Sequence, residues 1–229
     1  MRYVIFNADD FGASTGINRG IIECHTRGVV TSASLMVTGR AVEEAATLIR
    51  EHPALAVGLH WDVWGEDERE FDVSDLGAVR DEFRRQVDEF YRLARRLPTH
   101  VDSHRHAHRG AALLPVFQEL VEPLGVPLRA TGSVRFVGGF YAQWEWLVTN
   151  LEYVSVPFLE RLLAEEAGDG WTEFSCHPGY RSPDFRSVYL HEREAEVRTL
   201  TDPRIRGAID RLGLCLATYA QYGAATRST

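Results

Sequence analysis

Asp9 and Asp10 stand side by side after one apolar run, His60 ends a second, and Asp102-Ser103-His104-Arg105-His106-Ala107-His108 closes a third. His177 directly follows a fourth, which ends at Cys176. Two histidines and a carboxylate make a ligand set that leaves positions of a divalent ion open to water. Such an ion lowers the pKa of its water toward neutrality and polarises a carbonyl oxygen. A neighbouring carboxylate outside the ligand set can then take the water's proton. Consecutive residues on extended backbone point in opposite directions, which suits adjacent aspartates to these two roles. His104, His106 and His108 alternate, so on an extended backbone they share one face; those that do not bind could orient ligands or hydrogen-bond substrate. Asp102 could buttress an imidazole or pair with an arginine. Arg129 could orient substrate or pair with Asp9. His177, with an imidazole that titrates near neutrality, is a candidate acid for a leaving amine. Plainer alternatives stand beside these: Asp-Asp-Phe-Gly is also a turn sequence, and His60 and His177 could be ordinary strand-end and turn histidines.

Other chemistries are excluded. The chain has no lysine, so no Schiff base and no P-loop lysine. It has no H-E-x-x-H or G-x-G-x-x-G. Cys24, Cys176 and Cys215 are too scattered for a disulfide framework or a zinc knuckle. A net charge of −8 repels phosphate backbones, so nucleic acid is not an expected partner. Trp61, Trp64, Phe140, Tyr141 and Trp144 could form a sugar platform, although core packing is the default for any one of them.

The elements that must position these residues alternate. Strand-like runs fall at residues 3–7, 31–37, 55–59, 100–103, 127–130, 172–176 and 215–218. Helical spacing falls at 17–27, 42–50, 76–96, 113–124, 157–166, 191–201 and 203–212. Residues 61–75 read as an acidic loop, and 131–150 fit no element. Repeated strand–helix units imply a (β/α) barrel of seven or eight mostly parallel strands with outer helices, a single domain over residues 1–222 and a flexible tail at 223–229. Active sites in such barrels lie at the C-terminal strand ends, where Asp9, Asp10, His60, Asp102, His104 and His177 all fall.

With these pieces in place, the chain resembles the YdjC-like carbohydrate deacetylases, a family that includes chitooligosaccharide deacetylase and the hopanoid-biosynthesis deacetylase. The matching blocks are Asn7-Ala8-Asp9-Asp10-Phe11-Gly12, Gly28-Val29-Val30-Thr31-Ser32, Val57-Gly58-Leu59-His60, residues 98–108, Cys176-His177-Pro178, and Arg193-Glu194-Ala195-Glu196. The resemblance implies a β/α barrel that hydrolyses an N-acetyl group from an amino sugar. It implies Asp10, His60 and His104 as ligands of one divalent ion, zinc or magnesium, with Asp9 as base and His177 as acid. The chain departs from the family after His60, where Trp61-Asp62-Val63-Trp64-Gly65 replaces the usual segment, and over residues 131–156. The rivals are another metal hydrolase, such as a phosphoesterase, and a non-catalytic sugar-binding relative. No signal peptide or membrane span is read, so a cytoplasmic location is expected, and a homodimer is left open.

Overall fold

From Val4 onward every residue of β1 (Arg2–Phe11) is buried, as befits a central parallel strand covered on both faces. It pairs along one edge with β6 (Gly170–Cys176). On the other edge it pairs with β2 (Ser32–Leu35) through its C-terminal half and with β7 (Cys215–Leu216) at its start. With β3 (Ala56–Trp61), β4 (Val101–Ser103) and β5 (Val134–Val137), the sheet order is β4-β3-β2-β1-β6-β5, every pairing parallel. The computed structural model describes residues 1–65 and 70–227. Residues 66–69 of the acidic loop and 228–229 of the expected tail lie outside the described residues.

Around this half-closed barrel run α1 (Thr15–Arg27), α2 (Val42–Glu51), α3 (Leu76–Ala94), α4 (Leu114–Val121), α5 (Val156–Glu166), α6 (His191–Leu200), α7 (Pro203–Arg211) and α8 (Tyr219–Arg227). Side-chain caps start several of them. The Ser14 hydroxyl accepts from Ile17 N–H, and the carboxylates of Asp75 and Asp202 cap α3 and α7. Among the described residues, seven parallel strands fulfil the barrel expectation. Three local expectations change. The strand expected at 127–130 is a single bridge from Leu128 to Val101; Pro127, which has no N–H, leads into it. β5 forms instead inside the stretch that fitted no element. Residues 223–227, expected as tail, continue α8, which Tyr219 and Tyr222 anchor against Ile5 and Val134.

The strand faces divide by chemistry. Phe6, Ala8, Ala33, Leu35, Val57, Leu59, Val101 and Phe174 join the apolar core. The alternate positions Asn7, Ser34, Asp102 and Glu173 are buried and polar, and they bond to one another or to Arg129 across the barrel interior. Gly58 makes room there: a Cβ at Gly58 would lie 2.5 Å from the His100 ring.

Candidate active site

The pairing of β1 with β2 shifts between Ala8 and Phe11. Within the shift Asp10 has φ 67°, a left-handed conformation that Asp tolerates better than most residues. A bulge of this kind re-aims side chains. Asp9 and Asp10 therefore do not point to opposite faces, as plain alternation predicts; both line one cleft at the C-terminal strand ends. Arg193 on α6 donates to Asp10 Oδ2 at 2.5 Å. Burial would raise the Asp10 carboxyl, but Arg193 and the nearby imidazoles hold it well below the usual carboxylate range.

His60 and Asp102 are direct partners across β3 and β4. His60 Nδ1 donates to Asp102 Oδ1 at 2.6 Å, while its Nε2 lies 3.3 Å from Asp10 Oδ1. His104 repeats the arrangement: its Nδ1 donates to Asp62 Oδ1 at 2.9 Å, and its ring centroid is 5.8 Å from that of His60. A carboxylate on Nδ1 fixes the imidazole tautomer whose Nε2 lone pair can bind metal. Two ligand atoms about 2.1 Å from one ion lie about 3 Å apart, which the Asp10–His60 spacing fits. Burial alone would lower the His60 pKa; Asp102 and Asp10 hold it well above the ordinary value. The two carboxylates thus favour the protonated ring, and a bound cation would take the place of that proton.

Asp9, His60 and Asp102 also form a tight group, with ligand atoms all within 4.8 Å of one another. Arg129 Nη2 lies 2.7 Å from both of those carboxylates, so a guanidinium already supplies the positive charge there. Asp10, His60 and His104, the set that the resemblance implies, line the cleft together. Among the described residues, five buried carboxylates, Asp9, Asp10, Asp62, Asp102 and Glu173, meet two buried guanidiniums, Arg129 and Arg193. That excess of negative charge suits a dication.

Arg129 holds Asp9 through two bonds of 2.7 Å, and Asn7 Nδ2 donates to Asp9 Oδ1 at 2.9 Å. Burial would raise the Asp9 carboxyl; the guanidinium outweighs it and holds the group below its ordinary value. Glu173 fixes Arg129 from behind at 2.9 and 2.7 Å and itself accepts from Tyr219 OH at 2.6 Å.

His177 Nε2 lies 3.8 Å from Asp9 Oδ2, and the His177 ring packs 5.6 and 6.0 Å from Tyr141 and Tyr189. Burial pushes its pKa down to about 4, so it is neutral at pH 7. Glu196, pushed by burial up to about 8, accepts the His177 backbone N–H and Tyr189 OH. The later histidines do not share a strand face. β4 ends at Ser103, and Arg105 and His106 take left-handed backbone, φ 53° and 52°, at a kink just after it. His106 lines the cleft. His108 turns inward, where its two ring nitrogens bond Ser103 Oγ and Arg129 O.

Asp62, Arg193, Glu173 and Tyr219 carry no metal-site signature in the sequence. Asp62 lies two residues after His60 in the segment that departs from the family, and Arg193 opens one of the blocks that match it; these were the hints the sequence offered. Of the aromatic set, Trp61 and Phe140 are core and Trp64 packs partly against it. Tyr141 and Trp144 line the cleft, joined by Trp146 and Tyr189. Cys176 is buried, as expected of a core thiol. No described helix is long and apolar enough to cross a membrane.

A parallel β/α barrel with an Asp/His cluster at its strand ends defines the class of this protein. The chain belongs to the YdjC-like protein family, whose model matches residues 3–211. A carbohydrate deacetylase from Geobacillus stearothermophilus is 34% identical, with 96% of this chain and 98% of that protein covered. A chitooligosaccharide deacetylase from Serratia marcescens is 31% identical, covering 95% and 98%. Among solved structures, a putative cellobiose-phosphate cleavage protein from Enterococcus faecalis superposes with a TM-score of 0.82 at 26% identity, covering 96% and 98%.

Proposed function

We propose that this protein is a metal-dependent carbohydrate deacetylase that releases acetate from an N-acetylated amino sugar. One observation carries the proposal: two imidazoles, each held by a carboxylate on Nδ1, flank Asp10, with a second aspartate beside them that is outside the ligand set. Asp10, His60 and His104 would hold one zinc or magnesium ion. When bound, that ion would acidify a water and polarise the acetyl carbonyl.

Asp9, ionised and oriented by Arg129, takes the proton of the attacking water. A carboxylate of such low basicity needs an acidified water, which is why a dication belongs beside it. His177 starts neutral and lies 3.8 Å from Asp9. It can receive the proton and pass it to the departing nitrogen, so that acetate and a free amine leave. His106 and Tyr141 line the cleft where the sugar would lie. Arg105 and Arg109 also line it, which leaves phosphate-ester hydrolysis as the second reading. The carboxylates around the ion site oppose a phosphate dianion. Incubation with N-acetylated sugars and with sugar phosphates, followed by assays for acetate and for phosphate, separates the two. Acetate release is expected, and phosphate release alone would overturn the proposal.

A further inference from the structure

We infer that the exposed loop over residues 144–153 is a self-association surface, on which a second copy of this chain docks beside the mouth of the cleft. Six of the ten large apolar side chains exposed among the described residues fall in this one stretch. A seventh, Val188, adjoins it through a bond of 3.1 Å from Gln143 Nε2 to Val188 O. Trp146, Leu147 and Val148 are 78%, 60% and 53% exposed, although such side chains are usually buried. The loop is held at its base, where Asn150 N–H donates to Ala142 O at 2.8 Å and Ala142 N–H to Tyr189 OH at 3.0 Å. At the tip Val148 N–H donates to Glu145 O at 3.0 Å. Leu147, inside that turn, takes φ 62°, a left-handed backbone that a bulky residue rarely adopts. Backbone strain of this kind clusters at functional surfaces, and here it accompanies a leucine held toward solvent.

Size and chemistry select the occupant. With about 150–250 Å² on an aromatic side chain, the patch offers on the order of 700 Å², close to the roughly 800 Å² that each partner gives to a standard interface. Leu147, Val148, Leu151 and Tyr153 lie outside the cleft lining, and branched aliphatic side chains present no flat face to a sugar. A bilayer fits poorly: residues 136–160 include Glu145, Glu152 and Glu160 but no Lys or Arg, whereas membrane-docking surfaces join apolar residues to basic ones. A second copy fits in charge as well. Arg105 and Arg109 line the cleft and pair with no carboxylate among the described residues, so the acidic loop of one copy has cations to meet on the other. Trp144, Trp146 and Val188 belong to both the patch and the cleft lining. The docked copy therefore sits at the cleft mouth, and a two-fold pair does this for both sites.

Sedimentation velocity of the full chain tests the inference, with twice the chain mass expected at about 10 μM. Trp146→Glu places a charge within the patch and should give a monomer. Leu147→Gly relieves the left-handed strain, so the fold does not suffer, yet it removes an apolar contact and should weaken the dimer roughly tenfold. A wild-type monomer at that concentration, or a dimer that both variants leave unchanged, would overturn the inference. So would a wild-type monomer that sediments with phosphatidylcholine vesicles, which would give the patch to a membrane.

Discussion

His60 and His104 differ in neighbours but share one device, a carboxylate on Nδ1. Asp102 serves one and Asp62 the other. Removing such an outer partner commonly costs metal affinity about 10- to 100-fold. Asp62→Asn is therefore expected to weaken binding of zinc or magnesium by that factor, measured by competition with a chelator; unchanged affinity would remove Asp62 from the site. Asp9→Asn should keep the ion and lower kcat for acetate release by roughly 10²- to 10⁴-fold. Retained turnover would sink its role as base. At this scale the sequence was informative where a residue's own type carries chemistry. Asp9, Asp10, His60, Asp102, His104 and His177 all stand at one end of the barrel. It was silent where a role depends on a distant partner. Arg193 reaches Asp10 from 183 positions away, and Glu173 acts only through Arg129. It misled where local backbone breaks a period, as at the bulge of Asp10 and the turn of Arg105 and His106.

At the scale of elements, α8 reaches into the barrel. Its first residue, Tyr219, stacks on His100 with ring centroids 4.0 Å apart and caps the far oxygen of Glu173. That carboxylate in turn aligns Arg129 behind Asp9. Tyr219→Phe leaves a buried carboxylate oxygen short of a donor, which costs about 1–3 kcal/mol. A lower urea midpoint is expected, together with reduced kcat, and an unchanged midpoint would count against this chain of contacts. The helix was hidden in the sequence because 223–229 has neither a long apolar stripe nor a stop signal; its anchor is the tertiary packing of Tyr219 and Tyr222. The strands were easier to recognise as apolar runs, yet their inner faces are polar. An alternation of apolar outside and polar inside, buried on both sides, does not look like a half-exposed strand.

For the whole molecule, the buried titratable groups set an acid limit. Burial pushes His100, His106, His108 and His177 each down to about 4, against an unfolded value of about 6.5. Between those values the unfolded chain binds more protons, so stability rises with pH there and is lost as pH falls. Glu196, raised to about 8, acts in the opposite sense. Its contribution is complete below the unfolded carboxylate value and is lost as pH climbs to 8. His60, also raised, loses its contribution on the alkaline side too. Metal-free protein should therefore have its highest urea midpoint near about pH 6.5, with lower values at about pH 4.5 and 8.5. A steady rise across that span would contradict the assignment of these groups.

The most direct measurement follows acetate release from an N-acetylated disaccharide by wild-type protein stripped with a chelator and then titrated with zinc or magnesium. The account predicts no turnover in the stripped protein, restored in proportion to added ion and complete at one equivalent per chain, with His104→Ala failing to recover. Full turnover by the stripped protein, or undiminished recovery in His104→Ala, would contradict it.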